Sequence, residues 1–415
     1  MNLQCQSTSG RLYYPLRKNI KIILIVVYMI IMTNGLGFFG WDLSVGKNIT
    51  YIFYFATLSI GGYYLISNKK AVPFRNLFLA FFVIPIVSAY VSSVFYNYSL
   101  KIQWGSFALS FGFMTYFCLY YFRVSKKNLT SAMIIFSLIT FVIQLYQVMF
   151  PDGALFGRGN LAEYGITSIQ DLEGVIAETD RGLARFSVGL NKLQMFMLFL
   201  FLYKFTQKQS WFNIVMIVVF LSSIFFYQTR QLMVACYVVF ILALIGSLHS
   251  VKKGKGKIFF IFFIGMCVIG YYFDDIFGSI IEYSKDNTYS TDIRSEAMPF
   301  FFNKSIDGFF TITGHGYNPV MFAWGPSKGY FPSDVGYAGE MYIHGIVWII
   351  CFLYVIYRMI IRDRKRLSPV IKNTIYASLI MSPYIYPITQ GIESIFFSFL
   401  VYLAYGPRQS DVDAI

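Results

Sequence analysis

The chain has 415 residues, of which 57% are hydrophobic and 20% aromatic while only 13% are charged. A soluble domain carries about 25% charged and 45–50% apolar residues, so these proportions exclude an ordinary soluble fold and point to a chain solvated by lipid. The net charge of +14 does not describe a nucleic-acid face, because Lys and Arg fall in short clusters at the ends of apolar runs, the pattern that orients membrane helices.

Lipid leaves backbone groups no partner but one another, so each apolar run of about 20 residues predicts a helix. Such runs lie at 22–39, 49–67, 76–95, 103–122, 129–150, 187–205, 211–227, 231–248, 257–273, 337–360, 369–388 and 391–405. The expected fold is an all-α polytopic membrane protein, a single integral membrane domain over residues 1–415 with about twelve transmembrane helices. The first run follows Arg11, Arg17, Lys18 and Lys21 and has no small-residue cleavage site before Asn34, so it reads as an uncleaved anchor.

With both termini placed in the cytoplasm, 23 of the 34 Lys and Arg collect on the inner side, as the positive-inside rule requires. The same orientation puts 17 of the 20 carboxylates on or near the outer face and makes 151–190 and 274–336 two long outer loops. Four of the five cysteines, Cys118, Cys236, Cys267 and Cys351, lie in apolar runs as small hydrophobes, and no CxxC or disulfide framework exists. No internal repeat is visible, and no GxxxxGK[ST], HExxH, GxSxG or GxGxxG occurs, so nucleotide-driven transport, zinc proteolysis and serine hydrolysis find no support.

Arginine on the translocated side works against insertion, so each outer arginine asks for a reason. Arg181 and Arg185 stand in Asp180-Arg-Gly-Leu-Ala-Arg-Phe-Ser-Val-Gly-Leu-Asn191, at the entry to the sixth run. Arg230 lies in Tyr227-Gln-Thr-Arg-Gln231, the whole connection between two runs. Such residues either pair with nearby carboxylates and lipid phosphate or hold an anionic ligand with the planar guanidinium fork.

Further along, Asp292-Ile-Arg294-Ser-Glu296 precedes Gly314-His315-Gly316, whose glycines permit unusual backbone angles around a side chain able to exchange protons near neutral pH. A histidine in a glycine-rich turn serves structure as often as chemistry. At the re-entry to the membrane, Ser333-Asp334-Val-Gly-Tyr337-Ala-Gly-Glu340-Met-Tyr-Ile-His344-Gly345 places Glu340 and His344 four apart on one helix face. A carboxylate there needs a partner or a function, and a Glu340–His344 hydrogen bond with capping by Ser333 or Asp334 is the structural alternative. Outward arginines beside carboxylates suit an anionic lipid-linked substrate. Arginines stabilise a pyrophosphate leaving group, and a carboxylate or histidine takes a proton from an attacking hydroxyl.

Taken in order over residues 180–360, these segments resemble the landmarks of the bacterial O-antigen polymerase (Wzy-type) and O-antigen ligase superfamily. Arg185-Phe-Ser-Val-Gly-Leu-Asn191 is similar to its arginine-glycine-asparagine entry to a span, Thr229-Arg230-Gln231 to its arginine between spans, and Arg294 with Gly314-His315-Gly316 to its Arg…GxG loop. Asp334-Val-Gly-Tyr337 with Gly345 resembles the ligase pattern His-Asn-x-Tyr…Gly, with Asp in place of the ligase histidine, which favours a polymerase over a ligase.

The resemblance implies a multi-pass glycosyltransferase of the bacterial inner membrane, active at the periplasmic face, with no cofactor and no metal. Its substrate would be an undecaprenyl-pyrophosphate-linked oligosaccharide, and its partners membrane lipids, a chain-length regulator and the flippase of the same pathway, with no nucleic acid. Arg185, Arg230 and Arg294 would grip pyrophosphate with help from Arg181, and Asp334, His315 or Glu340 would supply the acid–base group. Tyr317, Trp324, Tyr330 and Tyr337 would contact sugar rings. The alternatives are a flippase or other transporter of the same lipid-linked sugar, a ligase, or a membrane acyltransferase using His344.

Overall fold

The computed structural model describes residues 18–33, 43–68, 72–97, 109–149, 190–227, 230–250, 288–316, 330, 332–383 and 393–407. Their regular structure is entirely helical: α1 Lys18–Met32, α2 Leu43–Ser67, α3 Arg75–Tyr96, α4 Thr115–Tyr121, α5 Lys126–Met149, α6 Asn191–Gln207 and α7 Trp211–Phe226 in the first half. The second half holds α8 Arg230–Ser250, α9 Thr288–Ser305, α10 Phe310–Thr313, α11 Gly336–His344, α12 Ile346–Tyr357, α13 Pro369–Met381 and α14 Glu393–Tyr405. Helices occupy all or part of every expected apolar run except 257–273, which lies outside the described residues.

Among the described residues, three helical stretches are long and apolar enough to cross a bilayer: Asn48–Ser67, Arg75–Tyr96 and Lys126–Tyr146. Shorter apolar helices accompany them at Asn19–Met32, Trp211–Phe226, Gln231–Gly246 and Glu393–Tyr405. Their outward faces carry large exposed apolar side chains, among them Ile52, Ile66, Tyr90, Val94, Val142 and Trp211, a distribution suited to lipid rather than water.

Local chemistry sets the helix starts. The Ser125 hydroxyl accepts from Asn128 N–H before α5, Ser210 from Asn213 N–H before α7, and Ser368 from Ile371 N–H before α13, where Pro369 takes the first helical position. Each serine satisfies a donor that the helix start would otherwise leave unpaired. In the bundle, α6 packs on α7 and α13, α1 on α5, α2 on α4, and α14 on α4. Lipid is as apolar as a leucine side chain, so close packing rather than water exclusion holds such helices together. Aromatic rings fill the centre: Phe78 stacks on Tyr116 at 4.1 Å, Phe81 on Phe113 at 5.1 Å, and Trp348 meets Phe81 edge-on at 5.5 Å. Ring pairs in these geometries add about 0.5–1.5 kcal/mol each beyond area burial.

Three departures from the apolar pattern bear on function. The run 103–122 is not one α-helix, since Leu109–Met114 is a 3-10 turn leading into α4. The second long loop, 274–336, holds the 18-residue helix α9, which a search for apolar runs misses because its sequence, TYSTDIRSEAMPFFFNKS, is largely polar and contains Pro299. The run 337–360 is broken at Gly345, whose φ of 79° separates α11 from α12. A Cβ on Gly345 would strike the Ile312 carbonyl, so only glycine lets the α10 end approach this closely. The break withdraws the amides that would continue the ladder from Tyr342 and Ile343. Their carbonyls instead accept from His315 N–H at 2.7 Å and Gly316 N–H at 3.0 Å.

Candidate functional site

Helix α11 organises the site. It packs against α3, α9, α10 and α12, and Gly336 at its start abuts the Ser382 carbonyl at the end of α13. Two buried titratable groups flank it with opposite surroundings.

His315 lies on one side, in the segment after α10. Its Nδ1 is 2.6 Å from the Tyr96 hydroxyl and its Nε2 is 2.9 Å from the Lys304 carbonyl. A carbonyl can only accept, so Nε2 carries the proton and Nδ1 accepts from Tyr96. The ring is sandwiched between Phe310 at 4.3 Å and Tyr342 at 4.5 Å. Gly314 at φ 73° and Gly316 at φ 70° bring the backbone flat against the end of α11 and against Ser88 and Ser92 of α3. The glycines thus seat the histidine in packed protein. Burial pushes its imidazole below the usual histidine range, an effect the Lys304 carbonyl partly offsets.

On the other side Glu340 is fully buried, and neither of its oxygens has a hydrogen-bond partner among the described residues. Its Oε2 is 3.8 Å from His344 Nε2, too long for the hydrogen bond that the four-residue spacing suggested. His344 Nδ1 is likewise unpartnered, and its ring stacks at 5.5 Å on Trp348, whose buried Nε1 also lacks a partner. Lys192, the second residue of α6, interacts electrostatically with Glu340 and with Glu393, the first residue of α14. The Lys192 main-chain N–H points to Glu393 Oε1 at 3.5 Å, and Glu393 Oε2 is buried with no partner among the described residues. Tyr227, at the end of α7, is also within electrostatic range of Glu393.

Buried polar atoms are nearly always satisfied, so buried carboxylate oxygens with no partner among the described residues mark a place where something else binds. Lys192 of α6 is thus within electrostatic range of carboxylates on α11 and α14, and Tyr227 at the end of α7 is within range of the second.

Among the residues expected to act, Glu340 is in this cluster and Tyr337 is one turn before it, with its ring 5.7 Å from Phe352. Arg230 opens α8 three residues after Tyr227, and Arg294 lies in α9, which packs on α11; their side chains are outside what the structure describes. Asp334 belongs to the 3-10 turn Pro332–Val335 that leads into α11, again with its side chain undescribed. Arg181, Arg185, Tyr317 and Trp324 lie outside the described residues, Arg185 six residues before the start of α6. Tyr330 donates to Glu296 Oε2 at 2.8 Å and packs on Phe300, both of α9.

Lys192 and Glu393 carry no motif and were not expected as site residues. Their signal in the sequence is an ionisable residue at the very edge of an apolar run. No group of three or more His, Cys, Asp or Glu able to hold a metal occurs among the described residues. Set against family models, curated proteins and solved structures, the chain finds no match in any of the three.

Proposed function

We propose that this chain is a polytopic glycosyltransferase of the bacterial inner membrane that polymerises undecaprenyl-pyrophosphate-linked oligosaccharide repeat units at the periplasmic face. The observation that carries the reading is Glu340: a fully buried carboxylate of α11 with neither oxygen hydrogen-bonded among the described residues. In this reading about twelve helices cross the membrane with both termini inside, so α6, α8, α11 and α14 all begin at the outer face.

Arg185, Arg230 and Arg294, assisted by Arg181, hold the pyrophosphate of the donor and stabilise it as the anomeric carbon–oxygen bond breaks. The non-reducing-end hydroxyl of the next lipid-linked unit attacks that carbon, and its proton passes to a carboxylate. Three carboxyl or imidazole groups compete for that role. His315 is the weakest, since both ring nitrogens are already bonded. Asp334 stands two residues before α11, and Glu340 is the group whose acceptor atoms are free among the described residues. Glu340 is therefore assigned the proton, with Asp334 as its rival.

A lipid-linked sugar flippase is the second reading, favoured by buried ionisable residues beside a broken helix. Against it, Lys192, Glu340 and Glu393 lie within the first two turns of their helices, whereas a transport site is expected near mid-membrane. Lipopolysaccharide from a deletion strain separates the two. The polymerase reading expects loss of the long ladder with core plus one unit retained; loss of every O-antigen band contradicts it.

A further inference from the structure

Lys192 is costly where it stands. Its residue is almost completely buried, and it sits in the first turn of α6, where the helix dipole already presents positive charge. Packing gives no reason for an ammonium there, because Leu193, Met195 and Phe196 beside it are ordinary core residues. Two carboxylates act on it: Glu393 of α14, whose Oε1 lies 3.5 Å from the Lys192 N–H, and Glu340 of α11, within electrostatic range. The three groups come from residues 192, 340 and 393, so the contact exists only in the folded bundle, and one cation serves two carboxylates whose remaining oxygens are unbonded.

We propose that Lys192 is the positioning residue of this site, anchored by Glu393 and supplying the counter-charge that orients Glu340 and keeps its carboxylate able to accept a proton. The inference rests on the proposed role of Glu340 for its catalytic consequence, whereas the charge coupling itself can be read without any activity. Replacing Lys192 leaves each of the two buried carboxylates without this cation, which favours their neutral forms.

The test uses the full-length protein in native membranes and a membrane-permeant carbodiimide, which reacts with protonated carboxyl groups; labelling of the Glu340 peptide is read by mass spectrometry at mildly alkaline pH. Labelling of Glu340 is expected to rise several-fold in Lys192→Met and to return toward the wild-type level in Lys192→Arg. Because Lys192→Met strands Glu393, Lys192→Met/Glu393→Gln removes the anchor as well and guards against loss of folding, and it too is expected to show raised labelling of Glu340. Equal labelling in wild type, Lys192→Met and the double variant overturns the proposal. Raised labelling in a protein whose wild type makes no polymer leaves the coupling intact and removes the glycosyl-transfer reading instead.

Discussion

His315, packed against α11, and Glu340, within it, are both buried and titratable, yet one is fully bonded and the other is not. His315 spends its two nitrogens on Tyr96 and Lys304 and its two ring faces on Phe310 and Tyr342. Glu340 has no hydrogen bond among the described residues and shares its surroundings with Lys192, Glu393 and His344. A satisfied buried group stiffens a fold, whereas an unsatisfied one costs stability and persists where function requires it. The bonding of His315 fits the structural reading of the glycine-histidine-glycine turn, and the carboxylate at the edge of an apolar run is the better candidate for chemistry.

The largest expected effects belong to the arginines proposed to hold the pyrophosphate. Alanine at Arg185, Arg230 or Arg294 should lower turnover by roughly 10²–10³-fold, the usual cost of removing one donor to a developing anion. Lysine at the same positions keeps the charge but loses the fork, so it should be partly active. Polymer formed by purified variants from synthetic lipid-linked units measures this, and full activity in all three alanine variants would break the phosphate clamp.

His315→Ala should act on stability instead. It removes two hydrogen bonds and two stacked contacts and leaves a cavity, together about 2–4 kcal/mol, read as a lower melting temperature in detergent. An unchanged melting temperature would return His315 to the list of chemical groups. Gly345→Ala tests the same side through the backbone, where a side chain at φ 79° facing the Ile312 carbonyl should cost about 1–3 kcal/mol.

The smallest effect is the pH dependence of that side. Burial holds His315 neutral in the folded protein, so its contribution to stability is fully present above the unfolded-state value of about 6.5. As pH falls below that value the unfolded chain takes up a proton that the folded one does not. Stability should then drop by up to about 1.4 kcal/mol per pH unit until the folded group titrates. Replacement by Asn, which cannot take the proton, should flatten this part of the profile.

Much of the fold was legible because apolar length alone dictates a helix in lipid. Helix α9 was not, since its sequence is largely polar and only a few apolar residues, among them Ala297 and Phe301, are buried in the cluster it shares with α11, so a search for apolar runs passes over it. The break at Gly345 was also hidden, because a glycine inside an apolar run reads the same whether or not another segment supplies hydrogen bonds to the turn before it. Glu340 was visible as a carboxylate at the edge of a run. Its isolation was not, because the four-residue spacing to His344 implied a hydrogen bond that the 3.8 Å separation does not make. Lys192 and Glu393 are 201 positions apart, and only tertiary packing makes them neighbours.

The most direct measurement compares polymer formed by purified Glu340→Gln, Asp334→Asn and His315→Ala, each corrected for the fraction folded. Glutamine keeps the shape of Glu340 but cannot take a proton, so turnover should fall by roughly 10²–10⁴-fold with the melting temperature preserved. His315→Ala should retain turnover per folded molecule. Near-normal turnover by Glu340→Gln, beside a folded but inactive Asp334→Asn or His315→Ala, would contradict the account and move the proton acceptor to that residue.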